Sequence, residues 1–389
     1  MSAMEDAVAV CTGEGVVIVD AVRSPLSRFG PGGVLAGVPP SVLLAQVALA
    51  LLDRTLLEAA AVTRVLIAGG PSFDEVGREA CSLIGVTPRS PTPLESGGSH
   101  QSIIHAAARA VGRHDVVLVL ATTRPDLPSR CSSRRGLSAE LVASRWKLDR
   151  AEVDAYARRS RRRAGEVAAM GEFRPEIIPI DAWSPRSRTI IEVDETIAGG
   201  PPPCGRPLFY EPAIAKQHPD IGWHLHAGNV SHPAIGAAAA ILAGDDRAIE
   251  LGLRPRARLL ALAECAHVPG SQVCGPIRAA HTVLEHIGVD ADKLDHYEIS
   301  EAFPSIPLAW QKEFSADTYR LNPRGGSIGL GCPGPAAGLR SLATTLSALE
   351  ATGGQLGIQA SEGIGSAGDV LLLELLPRRT LSSPDRSSR

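Results

Sequence analysis

Strand-like runs of branched residues alternate with helical stretches at both ends of this 389-residue chain, and a charged helical segment separates the two ends. Strands are expected at residues 16–22, 64–68 and 115–120, with helices at 41–57 and 101–111 between them. The pattern returns with strands at 257–262, 296–299, 355–359 and 369–376 and helices at 277–287 and 335–349. Few architectures satisfy two such blocks. Each reads as an α/β layer whose sheet is buried, because its strands are almost continuously apolar instead of alternating. A chain of this length also exceeds the roughly 250–300 residues at which single cores stop growing, so two units or one duplicated body are implied.

The middle region differs. Residues 139–171 read as helical and carry Arg158, Arg159, Arg161, Arg162 and Arg163. Such a cluster can bind phosphate, but a charged face on an exposed helix is more often simply solvated. A Pro-rich turn follows at 199–203, and the Ala-rich stretch 232–241 runs on into a helix reaching Gly252. Residues 1–15 are expected to be a flexible leader without the basic-then-apolar order of a signal peptide, and the Ser/Arg/Pro tail 378–389 to be disordered.

Composition excludes several classes. Net charge is −3, which offers no global field for nucleic acid or an anionic membrane. No run reaches the roughly 18 apolar residues of a membrane span; the longest candidate, 42–52, is shorter and contains Gln46. Seven cysteines without close metal-type pairing fit a reduced compartment, so the cytoplasm is the expected location.

Several motifs then become specific: VVIVDAVRSPLSRFG (16–30), DRAEVDAYARRSRRRAGEVAAMGEFRPEIIPI (149–180), HAGNVSH (226–232), YEISEAFPS (297–305), NPRGGSIGLGCPGPAAG (322–338) and EGIGSAGDVLLLEL (362–375). In this order and spacing the chain resembles the thiolase family over roughly residues 16–377. The resemblance implies the thiolase fold, an α/β body of two βαβαβαββ halves in a five-layer αβαβα arrangement with an inserted loop domain. It places one half at 16–255, with the loop domain at about 122–235, and the other at 256–377. Between Arg124 and Gly136 there is little of the long loop that thiolases carry before their Thr-Ala-Glu segment, here Ser138-Ala139-Glu140, so the tetramer-forming loop is expected to be missing.

The family's four reactive positions all hold other residues. Thiolases take up the acyl group on a cysteine, since a thiolate is a strong nucleophile whose pKa of about 8.5 is readily lowered. Ser96 falls there, in Ser96-Gly97-Gly98-Ser99-His100. A serine needs a nearby base, whereas a serine at a helix start is commonly just a cap. The Gly-His-Pro histidine falls on Cys332, which reads either as a nucleophile or as a small buried thiol. The second, acid/base cysteine falls on Glu362, which can remove a proton or can simply pair with a cation. The asparagine of Asn-Glu-Ala-Phe, which holds an oxyanion-forming water in the family, falls on Ser300. Four concerted changes argue against ordinary thiolysis or Claisen condensation.

Ser231 matches the family's CoA-contacting serine, so a coenzyme A thioester or a carrier-bound acyl group is the implied ligand, with no further cofactor and no metal. The resemblance implies a homodimer, or a heteromer with another thiolase-like or small acyl-binding protein. Three functions follow: an acyl-thioester-binding protein with an altered acyltransferase-type site, a catalytically silent subunit partnering an active enzyme, and, more remotely, a metal hydrolase built on His224, His226 and His232.

Overall fold

The computed structural model describes residues 8–69, 73–86, 92–94, 99–123, 133–184, 187–198, 205–266, 274–363 and 367–377. Its first half contains β1 (Val8–Thr12), β2 (Val16–Arg23), β3 (Ser27–Arg28), α1 (Pro40–Thr55), β4 (Arg64–Ala68), α2 (Phe73–Ile84), β5 (Thr92–Leu94), α3 (Ser102–Ala110) and β6 (Val116–Thr122). The intervening region supplies α4 (Ser133–Arg145), α5 (Arg150–Ala169), β7 (Ile180–Ser184), β8 (Ser187–Ile191), α6 (Pro212–Gln217) and β9 (Ala234–Ile235). Next come β10 (Ala237–Gly244), α7 (Asp245–Glu250), β11 (Ala257–Cys265), α8 (Gly275–Ile287), β12 (His296–Ile299), α9 (Ser305–Phe314), α10 (Ser327–Leu330), α11 (Ala337–Thr352), β13 (Leu356–Glu362) and β14 (Gly368–Leu375).

The strands line up as β12-β13-β14-β11-β2-β10-β6-β4-β5, with β1 alongside β11. Each half repeats one pattern. β10 runs antiparallel between β2 and β6, and β4 lies parallel to β6 and β5. Likewise β14 runs antiparallel between β11 and β13, and β12 lies parallel to β13. The counterpart of β5 shrinks to one parallel bridge, Tyr297 to Leu321. The halves join through a short antiparallel pairing of Ala257 and Arg258 with Ile18 and Val17.

Three main cores fill the four interfaces between five layers, the central one spanning two of them. Leu43, Leu44, Val47 and Leu51 of α1 cover one face of the first half, against Val17, Val19 and Leu118. Ile277 and Val283 of α8 cover the far face of the second, against Val370 and Leu372. Between the sheets lie α3 and α11, whose Ile103, Ile104, Leu339, Leu342 and Leu346 meet Ile18 and Val117 on one side and Leu371 and Leu373 on the other. Because α11 touches sheet on both sides it is buried all round from Ala337 to Leu349, the condition expected of a central helix.

Three expectations need correction. Val8–Thr12, assigned to a flexible leader, adds a strand to the free edge of β11. The alanines at 237–240, expected to lead into a helix, are β10, and helix is confined to Asp245–Glu250. Alanine favours helix intrinsically, but this strand is sandwiched between two others and covered on both faces, so small side chains fit where branched ones would collide. The arginines of α5 are not merely solvated: Arg161 donates to the Gly228 carbonyl (2.7 Å), Arg163 to those of Leu321 and Thr318 (2.7 Å each), and Arg159 stacks over Tyr156. Arg162 pairs at the surface with Glu166 one turn on, and Arg150 with Asp154 in the same way.

The helical stretch after residue 133 breaks between α4 and α5 because Asp149 starts a new helix with a reciprocal capping box to Glu152, both bonds 2.8 Å long. The turn at 199–203 and the tail 378–389 lie outside the described residues, and no described helix is long and apolar enough to cross a membrane.

Candidate functional site

The N-termini of the two central helices touch. A Cβ on Gly338 would lie 2.2 Å from the His100 carbonyl oxygen, so only glycine lets α11 approach the start of α3 this closely. The Ser99 hydroxyl contacts the Asp369 carboxylate and also accepts the Gln101 N–H at 2.9 Å, which fastens α3 to β14. On the other side, the Cys332 N–H donates to the His232 carbonyl (2.8 Å), and its carbonyl accepts from the Ala234 N–H (2.9 Å). The Thr123 hydroxyl holds the Pro333 carbonyl at 2.6 Å.

Three of the four reactive positions surround this junction, while Ser96 lies outside the described residues. Ser300 follows β12 and lines a small cleft together with His100, Ser327, Arg340 and Ser361. Cys332, just before α11, is buried, and burial pushes its thiol above the ordinary range. It is therefore protonated at neutral pH. Glu362 ends β13 with 7% of its side chain exposed, and Oε1 accepts from Arg135 Nη2 at 3.1 Å. The same nitrogen donates to the Glu362 carbonyl at 3.0 Å.

Two site residues carry no motif of their own. Arg135 on α4 reaches His100 as well: Nη1 lies 3.4 Å from His100 Nε2. Burial, then Arg135 and Arg340, push the His100 imidazole down to about 3, so it is neutral at physiological pH. A sequence signal for this pairing is lacking, because Arg135 sits in a run of serines and arginines far from His100 in the chain.

Glu301, the residue after Ser300, organises the floor. Its carboxylate accepts from Tyr156 (2.7 Å), Ser160 (2.6 Å), Asn322 (2.9 Å) and the Ile328 N–H (3.2 Å). A Cβ on Gly326 would fall 2.5 Å from its Cδ, so the 322–328 turn needs glycine there. Behind Ser300, Glu298 accepts from Arg340 at 3.1 Å, both groups being buried.

Asp369 is buried, and burial pushes its carboxyl up to about 6. A carboxyl whose pKa rises on folding favours the folded state below its unfolded value near 4, and that contribution is lost as pH climbs through about 6. Asp369→Asn, which keeps an acceptor for Ser99, is thus expected to gain on the order of 2–3 kcal/mol relative to the parent between pH 4.5 and 7.5. Thermal midpoints of both proteins across that range test this; a constant difference would refute it.

The loop bearing Ser231 is rigidly held. Glu140 accepts the backbone N–H groups of His224 (3.0 Å) and Leu225 (2.9 Å), and the Ser231 N–H donates to the Ala302 carbonyl at 3.1 Å. The three-histidine metal centre is corrected by this geometry. His226 Nδ1 accepts the Gly228 N–H (3.0 Å) and Nε2 pairs with Asp154 (2.8 Å), leaving no ring nitrogen for a metal. Among the described residues no three His, Cys, Asp or Glu side chains converge as a metal site.

Comparison with known proteins agrees with this body plan. Residues 95–246 match the thiolase N-terminal domain and residues 253–374 the thiolase C-terminal domain. The steroid 3-ketoacyl-CoA thiolase FadA6 of Mycobacterium tuberculosis is 32% identical, over 96% of this chain and 99% of its own length. The β-ketoadipyl-CoA thiolase of Pseudomonas knackmussii is 30% identical, over 88% and 94% respectively. The crystal structure of the Bacillus anthracis acetyl-CoA acetyltransferase superposes with a TM-score of 0.79 at 25% identity, covering 93% of this chain and 99% of that one. With both halves matched and full-length relatives at this identity, the chain belongs to the thiolase family.

Proposed function

We propose that this protein binds an acyl thioester, linked to coenzyme A or to a carrier protein, in the cleft where α3 and α11 meet, at an altered acyltransferase-type site that does not carry out ordinary thiolysis or Claisen condensation. The observation that carries this is Cys332. Acyl transfer needs a group that accepts the nucleophile's proton and then stabilises an oxyanion, and a buried, protonated thiol does neither. Binding is supported by the relatives, whose names specify 3-ketoacyl-CoA, β-ketoadipyl-CoA and acetyl-CoA, and by the firmly held loop that carries Ser231. Glu362 is the one position of the four that offers a carboxylate. Titration calorimetry with acetyl-CoA tests the reading: saturable binding is expected, and an absence of heat at millimolar ligand would refute it.

The Arg135–Glu362 pair favours a second reading, since it ties α4 to β13 whatever the chemistry. In that case the chain is a silent subunit of a heteromer. Its Glu362→Gln variant would then leave the turnover of the assembled pair unchanged.

A further inference from the structure

The loop that carries Ser231 is anchored at both ends and tied in its middle by a histidine. Glu140 on α4 accepts the N–H groups of His224 and Leu225, and the Ser231 N–H donates to the Ala302 carbonyl beyond β12. Between these anchors the Gly228 N–H donates to His226 Nδ1 at 3.0 Å, and His226 Nε2 lies 2.8 Å from Asp154 Oδ1 on α5. A backbone N–H can only donate, so Nδ1 is the accepting nitrogen and the single ring proton sits on Nε2, shared with the Asp154 carboxylate. The turn from His226 to Ser231 thus uses the lone pair of an uncharged, buried imidazole.

A second ring proton acts on only one of these two bonds. It goes to Nδ1, which then meets the Gly228 N–H donor to donor, and that buried N–H loses its acceptor at a cost of about 1–3 kcal/mol. The contact with Asp154 survives, because Nε2 donates in both forms. Asp154 therefore favours the charged ring wherever the loop lies, whereas Gly228 in its present place accommodates only the uncharged one. The neighbouring charges are committed elsewhere. On α5, Arg150 donates to the other oxygen of Asp154 (2.8 Å), Arg161 to the Gly228 carbonyl (2.7 Å), and Asp149 caps the helix. Glu140 holds the loop backbone, and Glu301 after β12 faces Tyr156 and Ser160. Of the other loop histidines, burial and then Arg150 push His224 down, and burial and then Arg161 push His232 down, so both charge only below the usual histidine range.

We propose that His226 is a proton-sensitive latch on this loop: its uncharged Nε2–H form holds residues 226–231 in the conformation that presents Ser231, and a second ring proton releases them, so that thioester affinity falls on acidification. His226 acts as a positioning residue, through the Gly228 N–H, and Asp154 keeps the ring oriented in both states.

The effect on affinity rests on the thioester reading above, whereas the latch itself is visible without ligand. Protein labelled with ¹⁵N in histidine and glycine is titrated from pH 8 to pH 5. His226 is expected as the Nε2–H tautomer at pH 8, and its protonation should move the Gly228 amide resonance in step. An Nδ1–H tautomer, a ring still uncharged at pH 5, or a Gly228 amide indifferent to the titration would overturn the latch. Acetyl-CoA affinity is then measured by calorimetry over the same range. Wild type should weaken about tenfold between pH 8 and pH 5. His226→Phe, which fills the space without an acceptor, should bind about tenfold more weakly than wild type already at pH 8. His226→Asn places Oδ1 where Nδ1 stands and gains no proton, so its affinity should vary by less than about threefold over the range. Constant wild-type affinity, or equal acid losses in wild type and His226→Asn, would put the sensitive group elsewhere, for instance at Asp369, and overturn the latch as a control on binding. No binding by wild type at pH 8 overturns the thioester reading, whatever the ligand-free spectra show, and removes the effect on affinity with it.

Discussion

Arg23→Met is expected to cost about 3–5 kcal/mol of stability and to lower the thermal midpoint by about 4–6 °C. Arg23 lies at the end of β2 and is fully buried. Its Nε donates to Glu176 at 2.7 Å, and its two terminal nitrogens clasp both oxygens of Asp194 at 2.7 and 2.9 Å. Those carboxylates come from the inserted region, so this guanidinium fastens that region to the first half. Removing it leaves two buried acids facing each other without a cation, which is far costlier than losing the hydrogen bonds themselves. The variant Arg23→Met/Glu176→Gln/Asp194→Asn should recover part of the loss. If the triple variant were no more stable than Arg23→Met, lost packing rather than unpaired charge would be responsible.

Glu301→Leu is expected to be comparably damaging, at about 3 kcal/mol or more, because four donors converge on that carboxylate inside the core. Tyr156 and Ser160 belong to α5, Asn322 to the turn after α9, and Ile328 to α10. The carboxylate thus joins three segments directly beneath Ser300. Glu301→Gln retains half of the acceptor capacity and should lose markedly less. Equal losses for the two variants would show that charge, not acceptor geometry, holds the floor together. Denaturant unfolding of both, compared with the parent, decides between these outcomes.

Much of the fold is legible in the chain because its strands obey simple rules. Residues 296–299 are read as a strand and form β12, and the central strands are apolar enough to be recognised as buried. Where reading fails, tertiary context has overridden a local preference. The alanines of β10 favour helix in isolation, and only the squeeze between α1 and α11 makes them a strand. β1 has no pattern that distinguishes it from a loose terminus until β11 presents an open edge.

The site divides in a similar way. Ser300, Cys332 and Glu362 can be located because glycines and an intact Glu-Ala-Phe frame them, and those frames encode backbone shape. His100 and Arg135 are harder to find, since their partnership depends on where α4 is laid across the end of β13. No spacing rule reports that. The histidines of residues 224–232 mislead for the converse reason: their spacing suits a metal, but Asp154 and the Gly228 N–H already occupy both nitrogens of His226.

The central claim is that a thiolase body here holds a thioester without forming an acyl-enzyme. Intact-protein mass spectrometry after exposure to acetyl-CoA and longer acyl-CoAs, with peptide mapping, tests it most directly. The protein is expected to keep its unmodified mass. An acyl group mapped to Ser96, the family's nucleophile position, or to Cys332, whose thiol burial keeps protonated, would contradict the account.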